Sequence, residues 1–175
     1  MTTMIDIPLD LGKIKPERMP VGQRYTIAKA KVSDLPDGIA LGKIMHEESV
    51  YAKFNYDEDK LLRYFTDAVD HPNTFLILAG RNESGLLCGF GAFFCTEHWF
   101  GTDRYVCDFG LFVHPDYRKT TLGIMMLKQL GTWANEIGAK EICLGSTTGV
   151  KTEDYGNLLV RMGYTHVGGL YKKGI

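Results

Sequence analysis

The chain has 175 residues, 45% of them apolar, and a formal net charge of -1. That length suits one domain with a core of ordinary size, and near-neutrality excludes a global field that would draw nucleic acid or an anionic membrane. Residues 1–22 hold no apolar core of signal-peptide length, and no apolar run approaches the ~20 residues of a membrane span, so neither export nor insertion is expected.

In chain order, residues 1–23 read as an irregular arm carrying Pro8, Pro16 and Pro20, followed by a single domain over 24–175. Arg24 to Val32 alternates and predicts a strand. Ser33-Asp34 can cap a helix through Ile39, Leu41, Ile44 and Met45. A polar-aromatic connection, Met45 to Asp57, leads to a second helix over Asp57–Asp70 with an apolar face of Leu61, Leu62, Tyr64, Phe65, Ala68 and Val69. Phe75–Ala79 and Leu86–Thr96 form strands around the turn Arg81–Gly85. A loop, Glu97–Arg104, precedes a strand at Tyr105–Val113, whose Tyr105, Cys107, Phe109, Leu111 and Val113 are predicted to share one face. A helix then runs to about Ile137 and stops at Gly138, as helices commonly do at glycine. Lys140–Gly145 is a strand, Ser146–Gly149 a polar loop, and Thr152–Met162 a helix ended by Gly163. Tyr164–Val167 and Leu170–Lys172 are predicted as short closing strands.

Cys88, Cys95, Cys107 and Cys143 lie in or beside apolar strand-like runs, and no pair has zinc-ligand spacing. They are expected to be buried, reduced thiols in a cytoplasmic protein with no metal site.

The most informative stretch is Tyr105–Lys128, a strand, a basic-polar loop and a helix. Pro115 stops the strand because it has no N–H for a ladder. Arg118, Lys119, Thr120, Thr121, Leu122 and Gly123 follow, and the helical pattern begins at Ile124. A helix start leaves N–H groups unpaired at the positive end of its dipole, which makes an anion site for a phosphate or pyrophosphate.

The order Val113, Pro115, Arg118, Thr121, Gly123 resembles the acyl-CoA pyrophosphate loop of the GNAT superfamily of N-acetyltransferases, with Thr121 where that family has its first glycine. The element order resembles the same family along nearly the whole domain. The segments MHEES, EHWFG, GLFVHP and TTGV resemble a phage- or prophage-encoded branch of it. The resemblance implies an α/β (α+β) GNAT fold, a mixed central sheet of six to seven strands flanked by about four helices, with two parallel strands splayed at the acyl-CoA site.

It also implies acetyl-CoA as acyl donor and an amine of a small molecule or protein as acceptor. A homodimer stays open. The pyrophosphate would take the loop from Arg118 through Thr120, Thr121, Leu122 and Gly123 to Ile124. The pantetheine arm would pair with the strand at Leu111, Phe112 and Val113, where the family carries a β-bulge, expected at Gly110–Val113.

Amine acetylation needs a neutral amine, a donor for the oxyanion and often a proton for the thiolate. Asp108 lies on the central strand, on the face opposite Cys107 and Phe109, and is the first candidate base. Glu97 is a second carboxylate candidate, with His98 beside it. His46, Glu47 and Glu48 border the expected acceptor side, where a carboxylate suits a cationic substrate. The family's acid is a tyrosine four residues before the glycine that precedes the closing strands, and Leu159 occupies that position. Tyr155, one turn earlier on the same helix face, and Ser146, at the splay, are the alternatives; Ser146 also borders the cofactor. The main reading is an acetyl-CoA-dependent N-acetyltransferase. The alternative is a GNAT-fold acyl-CoA-binding or interaction protein with little or no turnover.

Overall fold

A computed structural model describes residues 24–174. The predicted arm and its boundary at residue 23 lie outside the described residues. Five strands and four α-helices follow in the order β1 (Tyr25–Lys29), α1 (Leu35–Glu48), α2 (Glu58–Val69), β2 (Phe75–Asn82), β3 (Leu87–Glu97), β4 (Arg104–Val113), α3 (Leu122–Glu136), β5 (Glu141–Cys143) and α4 (Thr152–Arg161). The Asp57 carboxylate caps α2 by accepting the Lys60 N–H at 2.9 Å. Gly138 (φ 73°) and Gly163 (φ 93°) end α3 and α4 in the left-handed region. In the β2–β3 turn, Asn82 Oδ1 accepts the N–H groups of Ser84 and Leu86.

The sheet order is β1-β2-β3-β4-β5. Neighbours from β1 to β4 are antiparallel, and β5 joins β4 in parallel. Both faces are covered, which is why β2 and β3 read as nearly continuous apolar runs. On one face α3 lays Leu122, Met126, Leu130 and Trp133 against Leu76, Leu78, Phe93 and Val106, with Leu158 and Leu159 of α4, and Met162 just past its end, alongside. On the other, Leu35 and Leu41 of α1 and Ala68 of α2 pack on Ile77, Ala79, Phe90 and Phe112. Trp133 is 1% exposed, and its indole N–H donates to the Pro72 carbonyl at 2.9 Å, so the largest core side chain keeps its one polar atom satisfied.

Four expectations are corrected. The sheet has five strands among the described residues, not six to seven: Tyr164–Val167 and Leu170–Lys172 make no ladder, and Val167 and Tyr171 are almost fully exposed. The three-residue β5 offers them only a short edge. Helix α1 continues past Met45 to Glu48, where the Ser49 hydroxyl donates to the His46 carbonyl at 2.8 Å. Cys143 is exposed, not buried, because β5 is an edge strand.

The fourth concerns β4. Its register against β3 runs Phe93↔Asp108 and then Ala92↔Gly110, leaving Phe109 as the extra residue of a β-bulge. The expected single row from Tyr105 to Val113 is therefore broken. Phe109 packs on the α2 face, with Phe94 at 4.6 Å and Tyr64 at 5.6 Å between ring centres. Leu111 and Val113 turn to the α3 face instead. The bulge falls one residue before the expected Gly110–Val113.

Candidate active site

β4 and β5 pair only over Tyr105–Cys107 against Glu141–Cys143. Beyond that β4 continues to Val113 with this edge unpaired by any described strand, and the two chains part. A cavity of about 670 Å³ opens in the gap, walled by the end of β4, the loop into α3, residues 145–148 and one face of α4.

Asp108 stands at the apex. Its Oδ1 accepts the Gly145 N–H at 3.0 Å. Burial raises the pKa of this carboxyl, against the opposing pull of the Gly145 N–H and its own backbone N–H. Tyr155 of α4 lines the same cavity. Burial, then the charge of Asp108 and the neighbouring Tyr164, pushes its phenol well above the ordinary tyrosine value. A carboxylate tuned towards neutrality and a phenol held protonated thus share one chamber, and Ser146 joins them on its wall.

At the other end lies the loop into α3. The first intrahelical bond runs from Met125 N–H to the Thr121 carbonyl at 2.9 Å, so the N–H groups of Gly123 and Ile124 precede it. No side chain caps this helix at Thr121. Leu122 N–H is held by the Thr120 hydroxyl at 3.3 Å. Lys119 takes a left-handed backbone, φ 70°. Lys119 and Arg118 both line the cavity, as do Lys151 at the start of α4 and Arg161 at its end. Uncapped amides and cations around an open strand edge suit an elongated anion.

His114 N–H bonds to Cys88 of β3 at 2.9 Å. Strand alternation therefore aims the peptide groups of Leu111 and Val113 at the open edge. The Val113 carbonyl there already accepts the Arg118 Nε–H at 3.0 Å.

Of the residues named from sequence, Asp108, Leu111, Phe112, Val113, Arg118, Lys119, Thr120, Gly123, Ile124, Ser146 and Tyr155 border this cavity. Leu122 does not, being fully buried in the core. Thr121 is exposed, with its hydroxyl on Met125 Sδ at 3.8 Å, so its side chain runs along the helix and leaves the loop open.

Glu97 and His98 are not brought to the cavity. β3 runs antiparallel to β4 with Glu97 opposite Arg104, which puts Glu97 about 13 Å along the strand from Asp108. There His98 pairs with Glu141 at 3.3 Å and stacks on Tyr105. His46 packs on Tyr56, with its Nε2 buried and unpartnered among the described residues, and Glu47 is exposed. Glu48 meets Arg118 in an ion pair.

Sequence reasoning missed Lys151, Asp154, Asn157, Leu158 and Arg161, which also line the cavity. Their signal was available in part: Asp154, Leu158 and Arg161 recur with Tyr155 at three- and four-residue spacing, one face of α4. No group of three or more His, Cys, Asp or Glu among the described residues could hold a metal ion. No helix among them is long and apolar enough to cross a membrane.

Comparison with solved structures finds the same fold. An aminoglycoside N-acetyltransferase in complex with CoA superposes with a TM-score of 0.71 at 15% identity, over 89% of this chain and 98% of its own. Ribosomal-protein-alanine N-acetyltransferase from Brucella melitensis biovar Abortus 2308 gives 0.67 at 18%, over 86% and 99%. Glucosamine-6-phosphate N-acetyltransferase from Arabidopsis thaliana gives 0.67 at 16%, over 86% and 98%. No curated protein sequence matches significantly. The sequence profile of the acetyltransferase (GNAT) family matches residues 41–163, from the middle of α1 to just past α4. The chain belongs to the acetyltransferase (GNAT) family.

Proposed function

We propose that the protein is an acetyl-CoA-dependent N-acetyltransferase acting on a primary amine of a small molecule or protein. The observation that carries this reading is one cavity holding a half-buried carboxylate, Asp108, at its apex and the uncapped, cationic start of α3 at its mouth. An acyl-CoA fits that shape chemically. Its pyrophosphate suits the N–H groups of Gly123 and Ile124 with Lys119 beside them. Its pantetheine amides suit the open edge of β4 at Leu111.

The neutral amine attacks the thioester carbonyl. Asp108, directly or through one water, takes the proton the nitrogen loses. The C–S bond breaks, and the leaving thiolate takes the Tyr155 hydroxyl proton, giving the amide and free CoA. Asp108 and Tyr155 then return to their starting protonation by exchange with solvent. The raised pKa of Asp108 brings it closer to the working pH, where a general base is most effective.

The MHEES, EHWFG and TTGV segments support a phage- or prophage-like branch within the family, and four free cysteines support a cytoplasmic setting.

A second reading is an acyl-CoA-binding protein with little turnover. Leu159, at the position of the family's tyrosine, favours it, because its side chain packs into the α3-side core. Thermal unfolding with and without acetyl-CoA, alongside the Arg118→Ala/Lys119→Ala variant, tests the cofactor site. At 100 times the dissociation constant the ligand adds about 2.7 kcal/mol, several degrees for a domain of this size. A shift lost in the variant supports the site, and transfer of labelled acetyl to an amine panel then separates the two readings. No shift in either protein removes the acyl-CoA reading.

A further inference from the structure

We propose that Glu48 is a positioning residue that holds the phosphate-binding loop in place through Arg118, and is not a carboxylate that receives the amine. The proposal rests on the acyl-CoA reading of the cavity.

Three of the five guanidinium N–H groups of Arg118 are committed. Nη1 donates to Glu48 Oε2 at 3.0 Å, and Nη2 donates to Glu48 Oε1. Nε donates to the Val113 carbonyl at 3.0 Å. The guanidinium sits over the Phe112 ring, 5.3 Å from its centre. The two side chains are only 20% and 29% exposed. An ordinary surface ion pair does little, because solvent screens it and two long side chains must be ordered. This one is a bidentate fork backed by a ring face and by a backbone carbonyl, the geometry in which arginine binds tightly and lysine does not.

Three consequences follow for the site. The last turn of α1 is tied to the loop into α3 across 70 residues of sequence. The Arg118 charge is balanced by Glu48, while Lys119 makes no ion pair among the described residues, so Lys119 is the loop's uncompensated cation. The Val113 carbonyl is withdrawn from the open edge of β4, leaving the Leu111 peptide groups and the Val113 N–H for a strand-like ligand.

Glu48→Gln separates this role from an acceptor-binding one by the sign of its effect. Removing a negative charge close to bound phosphates strengthens acetyl-CoA binding by Coulomb's law alone. If Glu48 instead holds Arg118 and the loop, the same substitution weakens binding. The experiment is calorimetric titration of acetyl-CoA into wild type, Glu48→Gln, Glu48→Asp and Arg118→Lys. It is paired with hydrogen exchange of residues 118–124 without ligand.

Glu48→Gln is expected to weaken binding by about tenfold, the scale of a lost charge-assisted hydrogen bond. Arg118→Lys is expected to weaken it similarly, and Glu48→Asp, which keeps the charge, to fall between. Exchange in the loop is expected to quicken in Glu48→Gln. In steady state, the KM for acetyl-CoA rises while the KM for the amine and kcat at saturation hold.

Unchanged or tighter acetyl-CoA binding by a folded Glu48→Gln, with unaltered loop exchange, overturns the proposal and leaves the acetyltransferase reading standing. A rise in the amine KM alone also overturns it. No binding by the wild type removes the acyl-CoA reading and this inference with it.

Discussion

Asp108 Oδ1 accepts the Gly145 N–H at 3.0 Å across the point where β4 and β5 part. A side chain thus makes the contact that the backbone ladder, ending at Cys107 and Cys143, no longer makes. The same carboxylate is half-buried at the apex of the cavity, and that partial burial raises its pKa. One group therefore closes the base of the splay and carries a proton-accepting oxygen there.

Asp108→Asn keeps the shape and an oxygen for Gly145. For a carboxyl whose folded pKa lies above its unfolded value, the stabilising form is the protonated one. That contribution is present below ~3.9 and is lost as pH rises through the raised value. At neutral pH the charged form is a cost that asparagine removes. The variant is expected to melt at the same or a higher temperature at pH 7, with the difference vanishing in acid. Transfer is expected to fall by about 10²-fold or more, the scale of a lost general base. Wild-type kcat/KM should fall with decreasing pH through the raised pKa, and the residual rate of the variant should lack that limb. A variant that melts lower at pH 7 and keeps full rate would contradict both roles.

Tyr155 carries the complementary prediction. Burial, the charge of Asp108 and Tyr164 all push its phenol upward, so it stays protonated throughout an ordinary assay range. Tyr155→Phe removes only the hydroxyl from a helix whose packing rests on Leu158 and Leu159. The expected result is a loss of kcat on the order of 10²-fold with acetyl-CoA affinity retained. An unchanged kcat would hand the thiolate proton to Ser146 or water and remove Tyr155 from the mechanism.

Lys119 holds a left-handed backbone at φ 70°, which costs a residue with a Cβ roughly 1–2 kcal/mol, while glycine adopts it freely but loses about 0.5–1 kcal/mol more entropy on folding. The strain wins narrowly. Lys119→Gly is expected to leave the unfolding temperature unchanged or slightly raised. Acetyl-CoA binding should weaken and become less salt-dependent, because the loop's uncompensated cation is gone. Calorimetry at two ionic strengths reads both effects, and an affinity as salt-sensitive as the wild type's would show that Lys119 does not face the phosphates.

Much of the fold was legible because its causes are local. Pro115 ending a strand, Gly138 and Gly163 ending helices, and Asp57 opening one act within a turn of the residue concerned. The strand–loop–helix from Tyr105 to Lys128, with its free amides, could be read from consecutive residues for the same reason. Asp108 could be named because it is the only carboxylate within that strand.

What tertiary structure decided involves segments far apart in the chain. The register that leaves Phe109 unpaired is set by packing of β4 on β3, and it shifts the facing of every later residue of the strand. The antiparallel return of β3 carries Glu97 and His98 to the end of the sheet away from this cavity. The partner of Arg118 is Glu48, 70 residues away, and no periodicity encodes an ion pair. The cavity face of α4, with Lys151, Asn157 and Arg161, depends on how that helix settles against α3 and the splayed strands. Local propensity writes the elements; register, crossing and charge pairing arise only when distant surfaces meet.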